Sequence, residues 1–440
     1  MELFRKLSPI SRTALMIFLV GLFLRALFIS VHQRTLISDE RDYHQLAAHL
    51  LSTGTYGFNG VPTAYRPFAY PAIISGVYAL AGQHPIVIKL LQALFDSLTA
   101  VFLFLLLKHE SEKVRLAALG LWSFYLPAIL YTNFLLSESL FTFILVLTSF
   151  ILVRNGLSQT RNAFLFGCSL GFLTLMKPAM VLLIISLPAV MYLARIPLQQ
   201  FKVVVVGALL ILFPWIVRNY SSMGKPTLAT NGGINLLIGN NPNTTGAYVI
   251  NFPEEILQNA KDEVEADEAA YRYALHYIMD KPGQFLVNGF KKIAHLFSSE
   301  GGLLVWSFHN HPEDASERYA MKYASIPLPL IALVNASYIV VVLFGLVGIV
   351  SAKKDMLWWF CAGLFACWLA THFLFFGGSR FHFPLMPFFA LFAAPALTDL
   401  SKTFQRLTTA KKIFLVLAVL GFLSIWIAET STVIHALSAY

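Results

Sequence analysis

The sequence has few charged residues: they make up 12% of its 440 residues, against 57% hydrophobic residues. A soluble globular domain carries about 25% charged residues, so this composition excludes an ordinary soluble protein. The formal net charge of +9 does not indicate a nucleic acid partner, because the basic residues stand in short segments between long apolar stretches. The composition is that of a protein that crosses a membrane several times.

Cysteine is also scarce. Cys168, Cys361 and Cys367 all fall in apolar segments, and we expect no structural disulfide. Neither a Walker A sequence nor a GxGxxG stretch is present, so no nucleotide-binding loop is indicated. The basic N-terminus leads into about 19 apolar residues without a small-residue cleavage site, which predicts a retained first membrane span.

The apolar stretches predict an all-α polytopic membrane protein with about 11 transmembrane helices, since one span needs about 20 mainly apolar residues. The predicted spans are residues 13–31, 86–107, 116–132, 138–153, 162–176, 179–194, 203–217, 326–350, 357–376, 383–398 and 413–430. We therefore expect three regions: an N-terminal transmembrane module over 1–217, a small extracytoplasmic cap over 218–325 and C-terminal transmembrane helices over 326–440. Within the cap, residues 254–279 and 283–298 have helical periodicity.

The apolar run over residues 67–82 decides the orientation. If it does not cross, the segments assigned to the cytoplasm hold 16 of the 32 Lys and Arg residues but only five of the 23 acidic ones. The positive-inside rule favours this arrangement, with a cytoplasmic N-terminus and with residues 67–82 re-entrant or lying along the outer interface. Residues 32–85 then form a large first outer loop, and we expect juxtamembrane helices in it.

The first outer loop contains SDERDYHQLAAHLLSTGTYGFNGVPTAYRPFAYP, which begins with three carboxylates in four residues. A short helical pattern follows, apolar at Leu46, Ala47, Leu50 and Leu51, and the stretch ends near Arg66. Carboxylates beside a membrane are costly to desolvate, so a group of them is a functional candidate.

Other ionisable and polar residues stand at the outer ends of distant spans. They are Glu138, Lys177, Arg218, Asn219, Arg380 and His382. A carboxylate at this face can act as a general base, and the cations can hold a phosphate and stabilise the charge that grows on it as it leaves. Because no nucleotide-binding loop is present, the substrate has to arrive already activated, and a lipid-linked sugar phosphate fits this requirement.

Several motifs resemble those of the type-C membrane glycosyltransferases, in particular bacterial relatives of protein O-mannosyltransferase and lipid A aminoarabinose transferase. The motifs are SDERDYHQLA, AYRPFAYP, LLSE, MKP, PWIVRNY, NGGINLLIGNNP and RFHFPLMP. The resemblance implies transfer of a hexosyl or pentosyl group from a polyprenyl-phosphate donor to a lipid, glycan or protein acceptor, usually with inversion. It implies a site on the outer face of the cytoplasmic (inner) membrane of a bacterium.

The resemblance also implies roles for individual residues. Asp39 corresponds to the catalytic base, with Glu40 as the adjacent acid. Four cations are candidates for the donor phosphate: Arg66, Lys177, Arg218 and Arg380. Five further residues are candidates for orienting the reactants or contacting the acceptor: Asp42, Glu138, Tyr65, Asn219 and His382.

A divalent metal ion stays an open alternative, since some members of the family use one. Asp39, Glu40 and Asp42, together with His309 and His311, have suitable donor atoms. The HNH spacing does not match a closed zinc site, however, so no residue is assigned as a metal ligand.

Two other functions remain open from the sequence. A flippase or transporter for a lipid-linked saccharide would place polar residues through the membrane midplane, and a polysaccharide polymerase or ligase would depend on outer-face arginines more than on Asp39. Arg25 and Asp96 do lie inside predicted spans, and we expect them to form a structural pair or interior hydrogen bonds, because an unpaired charge there is expensive.

Overall fold

The computed structural model describes residues 8–309, 321–405 and 407–438, and most of these residues are helical. Within these ranges, seven helices are long and apolar enough to cross a membrane: Pro9–Val31, Pro85–Leu106, Gln199–Met223, Leu328–Ser351, Met356–Leu374, Ser379–Thr398 and Thr409–Ser431. The protein is therefore an all-α multi-pass membrane protein, as predicted. The remaining predicted spans are also helical but shorter, so the number of crossings stays a prediction.

The elements of the first half are α1 (Pro9–Val31), α2 (Asp39–Thr53), β1 (Gly57–Phe58), β2 (Val61–Pro62), α3 (Ala69–Ala81), α4 (Pro85–Leu106), α5 (Glu112–Ser123), α6 (Leu126–Tyr131), α7 (Glu138–Asn155), α8 (Thr160–Met176), a 3₁₀ turn (Pro178–Met180), α9 (Val181–Leu193) and α10 (Gln199–Met223). Helices α8 and α10 pack closely because Gly167 lies against α10: a Cβ on it would approach the Val204 carbonyl oxygen to 2.1 Å. Small residues allow such close helix contacts in membranes.

The elements of the second half are α11 (Gly232–Gly239), α12 (Glu255–Gln258), α13 (Glu263–Asp280), α14 (Pro282–Leu296), α15 (Gly301–Phe308), α16 (Leu328–Ser351), α17 (Met356–Leu374), a 3₁₀ helix (Ser379–Leu385), α18 (Met386–Thr398), α19 (Leu400–Gln405) and α20 (Thr409–Ser438). Helix α16 packs against α18, and α14 packs against α17. The cap segment is thus in contact with the apolar helices rather than separated from them.

The predicted span 116–132 is interrupted between α5 and α6. Pro127 has no N–H with which to satisfy the carbonyl four residues earlier, that of Ser123. The Arg25 side chain supplies the missing donor. Its Nη1 donates to the Ser123 carbonyl oxygen at 2.8 Å, and its Nη2 lies 2.6 Å from Asp96 Oδ2. Both charged side chains are fully buried. The expected structural pair between Arg25 and Asp96 is confirmed.

The acidic stretch of the loop predicted over residues 32–85 forms α2, whose first turn carries three carboxylates where the helix dipole favours them. The helix ends at Gly54, whose φ of 73° lies in the left-handed region that favours glycine. Leu46 and Ala47 are fully buried, as the pattern predicts, whereas Leu51 is exposed. The helix therefore buries a narrower apolar face than expected.

The rest of this loop is a small hairpin and a short helix. Strands β1 and β2 pair across Asn59 and Gly60, whose φ values of 51° and 81° suit a tight two-residue hairpin turn. Helix α3 has 13 residues, so it is about 20 Å long, short of the roughly 30 Å hydrocarbon core. Helix α9, in the predicted span 179–194, has the same length, so the non-crossing of residues 67–82 stays a prediction.

The cap has a small apolar core between α11 and α13. The helix predicted over 254–279 is interrupted, because Asp262 caps α13 and accepts hydrogen bonds from the N–H groups of Val264 and Glu265 at 2.9 Å. The helix predicted over 283–298 is α14. Neither observation tests the proposed division of the chain into three regions.

Several hydrogen bonds connect the cap to loops of the membrane part. Glu263 accepts hydrogen bonds from Thr63 Oγ1 at 2.5 Å and from the Ala64 N–H at 2.7 Å. The Gly377 N–H donates to the Gly246 carbonyl oxygen at 2.9 Å. These contacts hold the segments that precede Arg66 and Arg380.

Candidate active site

Asp39 lies at the start of α2, where two arginines from distant parts of the chain reach it. Its Oδ1 accepts from Arg66 Nη2 and its Oδ2 from Arg380 Nη1, both at 2.6 Å. Arg66 also donates to Asp42 Oδ2, from Nη2 at 2.7 Å and from Nε at 3.0 Å. Asp39 and Asp42 are three residues apart in a helix and so share a face, which lets one guanidinium bind both.

The network continues from Arg380 to a second carboxylate. Glu138 Oε1 accepts from Arg380 Nε at 2.8 Å and from Lys177 Nζ at 3.2 Å. Lys177 precedes Pro178, and because proline disfavours the helical conformation in the residue before it, α8 ends there. We call the following six residues the Asp39 cluster: Asp39, Asp42, Arg66, Glu138, Lys177 and Arg380.

The Asp39 cluster balances three carboxylates against three cations and stays in contact with solvent. The side chains of Asp39, Arg66 and Arg380 are 18–19% exposed, whereas Glu138 is buried. Burial alone would raise the pKa of Asp39, yet the positive charges of Arg380 and Arg66 outweigh it and lower the pKa from 3.8 to about 2. The Asp39 carboxylate is therefore ionised at neutral pH.

Aromatic rings surround the arginines of the cluster. The Arg66 guanidinium carbon lies 5.2 Å from the ring centre of Tyr65 and 5.9 Å from that of Tyr43, and the Arg380 guanidinium carbon lies 5.8 Å from that of Trp306. Of these rings only Tyr65 was predicted. Tyr43 could have been found, because it stands four residues after Asp39 on the same helix face. Nothing in the local sequence marks Trp306.

Glu40 does not join the Asp39 cluster, although it is the next residue of the helix. Successive residues of a helix point about 100° apart, and the Glu40 side chain is buried on the other side. Its Oε2 accepts from Arg34 Nη1 at 2.5 Å, and its Oε1 accepts from the Leu135 N–H at 2.8 Å. The structure thus separates the two acids that the sequence analysis grouped as catalytic.

Arg218 and Asn219 bind the backbone around the cluster rather than the cluster itself. Arg218 donates to the carbonyl oxygens of Thr63, at 2.8 Å, and of Tyr56. The fully buried Asn219 donates to the Thr227 carbonyl oxygen at 2.7 Å. These contacts place Arg218 beside the loop that leads to Arg66 and Asn219 against the segment after α10, so Arg218 does not lie with the other three predicted phosphate-binding cations.

His382 is also separate from the cluster. It is fully buried, with Nε2 3.0 Å from Glu300 Oε1 and Nδ1 2.8 Å from the Leu296 carbonyl oxygen, and its ring stacks on Tyr338 at 4.6 Å. This position is not one from which a bound acceptor could be contacted. It suits an anchor for the 3₁₀ helix that carries Arg380.

The surroundings of Asp39 do not fit a divalent metal ion. Both of its oxygens already face guanidinium groups, and an added cation there would be repelled by Arg66 and Arg380. In the described part of the chain, no three His, Cys, Asp or Glu side chains are grouped as metal ligands. His309 lies 3.0 Å from Ser325 Oγ through its Nε2, and His311 lies outside the described residues.

No protein-family model and no curated protein matches the sequence. Among solved structures, the oligosaccharyltransferase of Archaeoglobus fulgidus in the apo form is similar, with 14% identity and a TM-score of 0.51 over 97% of this chain and 56% of that chain. ArnT from Cupriavidus metallidurans bound to undecaprenyl phosphate has 13% identity and a TM-score of 0.41 over 86% of this chain and 77% of that chain. This chain spans about half the length of the oligosaccharyltransferase. The fold expected from the sequence motifs is confirmed by the first of these similarities.

Proposed function

We propose that this chain, whose fold is that of the type-C membrane glycosyltransferases, transfers a hexosyl or pentosyl group from a polyprenyl-phosphate donor to a lipid, glycan or protein acceptor. The observation that carries the proposal is the Asp39 cluster: an ionised carboxylate, shared by two arginines, in a site that solvent reaches. The proposed site faces the exterior or periplasm from the cytoplasmic (inner) membrane of a bacterium, and the N-terminus is cytoplasmic.

The cations of the cluster suit a phosphate with a transferable group on it. Arg66 and Arg380 present planar, multidentate donors, which match phosphate oxygens as well as carboxylate oxygens. Lys177 adds a third positive charge at the far side of Glu138. In this proposal the three residues hold the donor phosphate and stabilise the negative charge that develops on it when the sugar leaves.

In this proposal, binding of the donor has to raise the pKa of Asp39 before this carboxylate can act as a base. A carboxyl group with a pKa of about 2 is a weak proton acceptor. When phosphate oxygens take over hydrogen bonds from Arg66 and Arg380, Asp39 loses the positive charges that lower its pKa, and its basicity rises. The competition between phosphate and Asp39 for the same arginines would thus link donor binding to activation of the base.

The proposed reaction is a direct displacement. The acceptor oxygen or nitrogen forms a bond to the anomeric carbon while the bond from that carbon to the phosphate oxygen breaks. The acceptor proton passes to Asp39, and the electron pair of the broken bond stays on the polyprenyl phosphate. A single displacement inverts the anomeric carbon.

A reconstituted assay tests the proposal. The purified full chain in liposomes is offered a panel of polyprenyl-phosphate sugars with candidate acceptors, and free polyprenyl phosphate is measured. We expect release with one donor, and a fall of roughly 10²- to 10⁴-fold in Asp39→Asn, as for loss of a general base. Glu110→Gln removes an exposed carboxylate in another loop and should leave turnover unchanged.

Two outcomes would contradict the proposal. Wild-type turnover in Asp39→Asn would remove the assigned base. Movement of the intact lipid-linked sugar across liposomes, without release of polyprenyl phosphate, would instead identify a transporter.

A chelator added to the active reaction should have no effect, because the residues around Asp39 do not fit a divalent ion.

A further inference from the structure

A second group of charges lies on the other side of α2. Arg34, Glu40 and Lys89 form what we call the Glu40 cluster. The Arg34 guanidinium donates to Glu40 Oε2 at 2.5 Å and lies 4.3 Å from the centre of the Phe134 ring. Lys89 Nζ donates to Asn133 Oδ1 at 3.2 Å, and the charges of both Glu40 and Arg34 act on it.

The Glu40 cluster has one more positive charge than negative charge. The side chains of Arg34 and Glu40 are each only 2% exposed, and Lys89 is 6% exposed. Arg34 Nε and Nη2 have no hydrogen-bond partner among the described residues. Buried charges are ordinarily paired, because an uncompensated charge in a protein interior is costly. The excess positive charge therefore indicates that an anion completes the cluster.

A cavity of about 420 Å³ adjoins these cations. Its wall combines polar and apolar groups: Arg34, Lys89, Ile29, Leu36, Pro85 and Ile86. It lies between the end of α1 and the start of α4, both of which are long and apolar enough to cross a membrane. Val31 and Ile86 beside it are exposed apolar side chains. The cavity thus joins a cationic interior to a surface suited to lipid chains.

We propose that this cavity binds the phosphate group of a lipid, at a site separate from the Asp39 cluster. The phosphate supplies the negative charge that balances Arg34 and Lys89 together with Glu40, and the lipid chains lie along the apolar wall and the adjacent helices. A phosphate is recognised by guanidinium and ammonium donors in the same way whether it is free or attached to a lipid. The apolar wall favours the lipid as its source.

The test uses the full chain in detergent micelles and native mass spectrometry, with dioctanoyl phosphatidic acid as the probe. Inorganic phosphate and dioctanoylglycerol represent the head group and the tail alone. Lys89→Gln can keep a hydrogen bond to Asn133 without the charge. We expect this variant to bind one copy of phosphatidic acid roughly tenfold or more weakly than the wild type does. Lys108→Gln, at an exposed lysine, and Arg66→Gln, in the Asp39 cluster, should retain that copy.

The arms of the experiment separate the alternatives. Tighter retention of phosphatidic acid than of inorganic phosphate, with both dependent on Lys89, supports a lipid phosphate. Equal retention of the two would assign the site to free phosphate and overturn the lipid as the source. Unchanged retention of phosphatidic acid in Lys89→Gln, or equal retention of dioctanoylglycerol, would overturn the site itself.

Thermal unfolding without added lipid distinguishes binding from a purely structural role. If the Lys89 charge serves only as a partner of the Glu40 carboxylate, its replacement by Gln should lower the Tm. If the cluster carries an excess positive charge, replacing Lys89 by an uncharged side chain removes the cost of burying that charge, and the Tm should stay the same or rise. A lower Tm would therefore count against the proposal, even where the variant folds.

Discussion

The Asp39 cluster and the Glu40 cluster arise from adjacent residues of α2, yet they differ in charge balance and in exposure. Around Asp39, three carboxylates meet three cations, and solvent reaches the side chains of Asp39, Arg66 and Arg380. Around Glu40, one carboxylate meets two cations, and all three are almost completely buried. The first arrangement can exchange partners with a substrate, whereas the second needs a permanent anion and a fixed Glu40.

The comparison shows why charge alone does not identify a catalytic residue in this protein. Arg25 and Asp96 are ionisable residues within the membrane part, but they are fully buried, and Arg25 binds a carbonyl oxygen left free at a helix break. Asp39 differs from them because its partners are themselves accessible and can bind something else. Access to the partners, rather than the carboxylate itself, separates the proposed base from the structural acids.

The difference between the two clusters predicts the largest loss of stability for a substitution at Glu40. Glu40→Gln leaves Arg34 and Lys89 buried without a negative charge, and breaking a buried pair in this way costs about 3–5 kcal/mol. We expect much less folded protein after heating in detergent, measured by size-exclusion chromatography. Asp39→Asn, in the more exposed cluster, should lose far less folded protein under the same heating. Equal stability of Glu40→Gln and wild type would mean that the two clusters are alike.

Arg380 is the next test, because it joins two of the three carboxylates of the Asp39 cluster, Asp39 and Glu138. Arg380→Lys keeps the positive charge but cannot bridge Asp39 and Glu138 with separate nitrogens. We expect turnover to fall by roughly 10²- to 10³-fold, as for loss of one transition-state donor. Arg218→Lys is the matched control, since Arg218 binds backbone carbonyls outside the cluster, and an equal loss there would argue against the distinction.

Glu263 should have a smaller effect on the same reaction. It accepts the Ala64 N–H at 2.7 Å and so holds the loop that leads to Arg66. We expect Glu263→Gln to lower kcat/KM by roughly tenfold, about 1.4 kcal/mol, while the pH dependence keeps its shape, because the side chain positions the loop and does not exchange a proton. Glu265→Gln, two residues along the same helix, serves as the control. A changed pH profile would indicate a direct role in proton transfer.

The smallest expected effect concerns pH and stability. The pKa of Asp39 is lowered to about 2 in the folded protein, against 3.8 for the free side chain. Its contribution to stability is therefore complete above about pH 4 and is lost as the pH falls toward 2. The Tm difference between wild type and Asp39→Asn should stay constant from pH 8 to 5 and shrink below about pH 4. A difference that already shrinks near pH 6 would show that the arginines do not lower this pKa.

Several parts of the candidate site could be read from local sequence. The spacing of Asp39 and Asp42 places them on one helix face, and Lys177 stands before a proline that must end its helix. Arg380 follows the apolar segment predicted over residues 357–376. For each of these residues a short-range rule, helical periodicity or the effect of proline, predicts the local geometry.

Other parts could not be read in this way. His382 is close to Arg380 in sequence and was grouped with it, but it faces Glu300 inside the protein. Arg34 and Lys89 were not singled out, because neither stands in a motif and their charges meet only in the folded chain. The interruption at Pro127 was missed because an apolar run of suitable length was counted as one span.

The sequence by itself determined the apolar helical segments, the membrane class and the acidic start of α2, since these depend on composition and on periodicities of a few residues. The tertiary structure decided which neighbouring acid faces which cations, that Arg218 and His382 lie apart from the Asp39 cluster, and that the cap holds the loop before Arg66. These outcomes depend on packing between segments tens to hundreds of residues apart. Local patterns carry no information about contacts between such distant segments. Helical geometry predicts that Asp39 and Glu40 point about 100° apart, but the folded chain decides which side chains surround each of them.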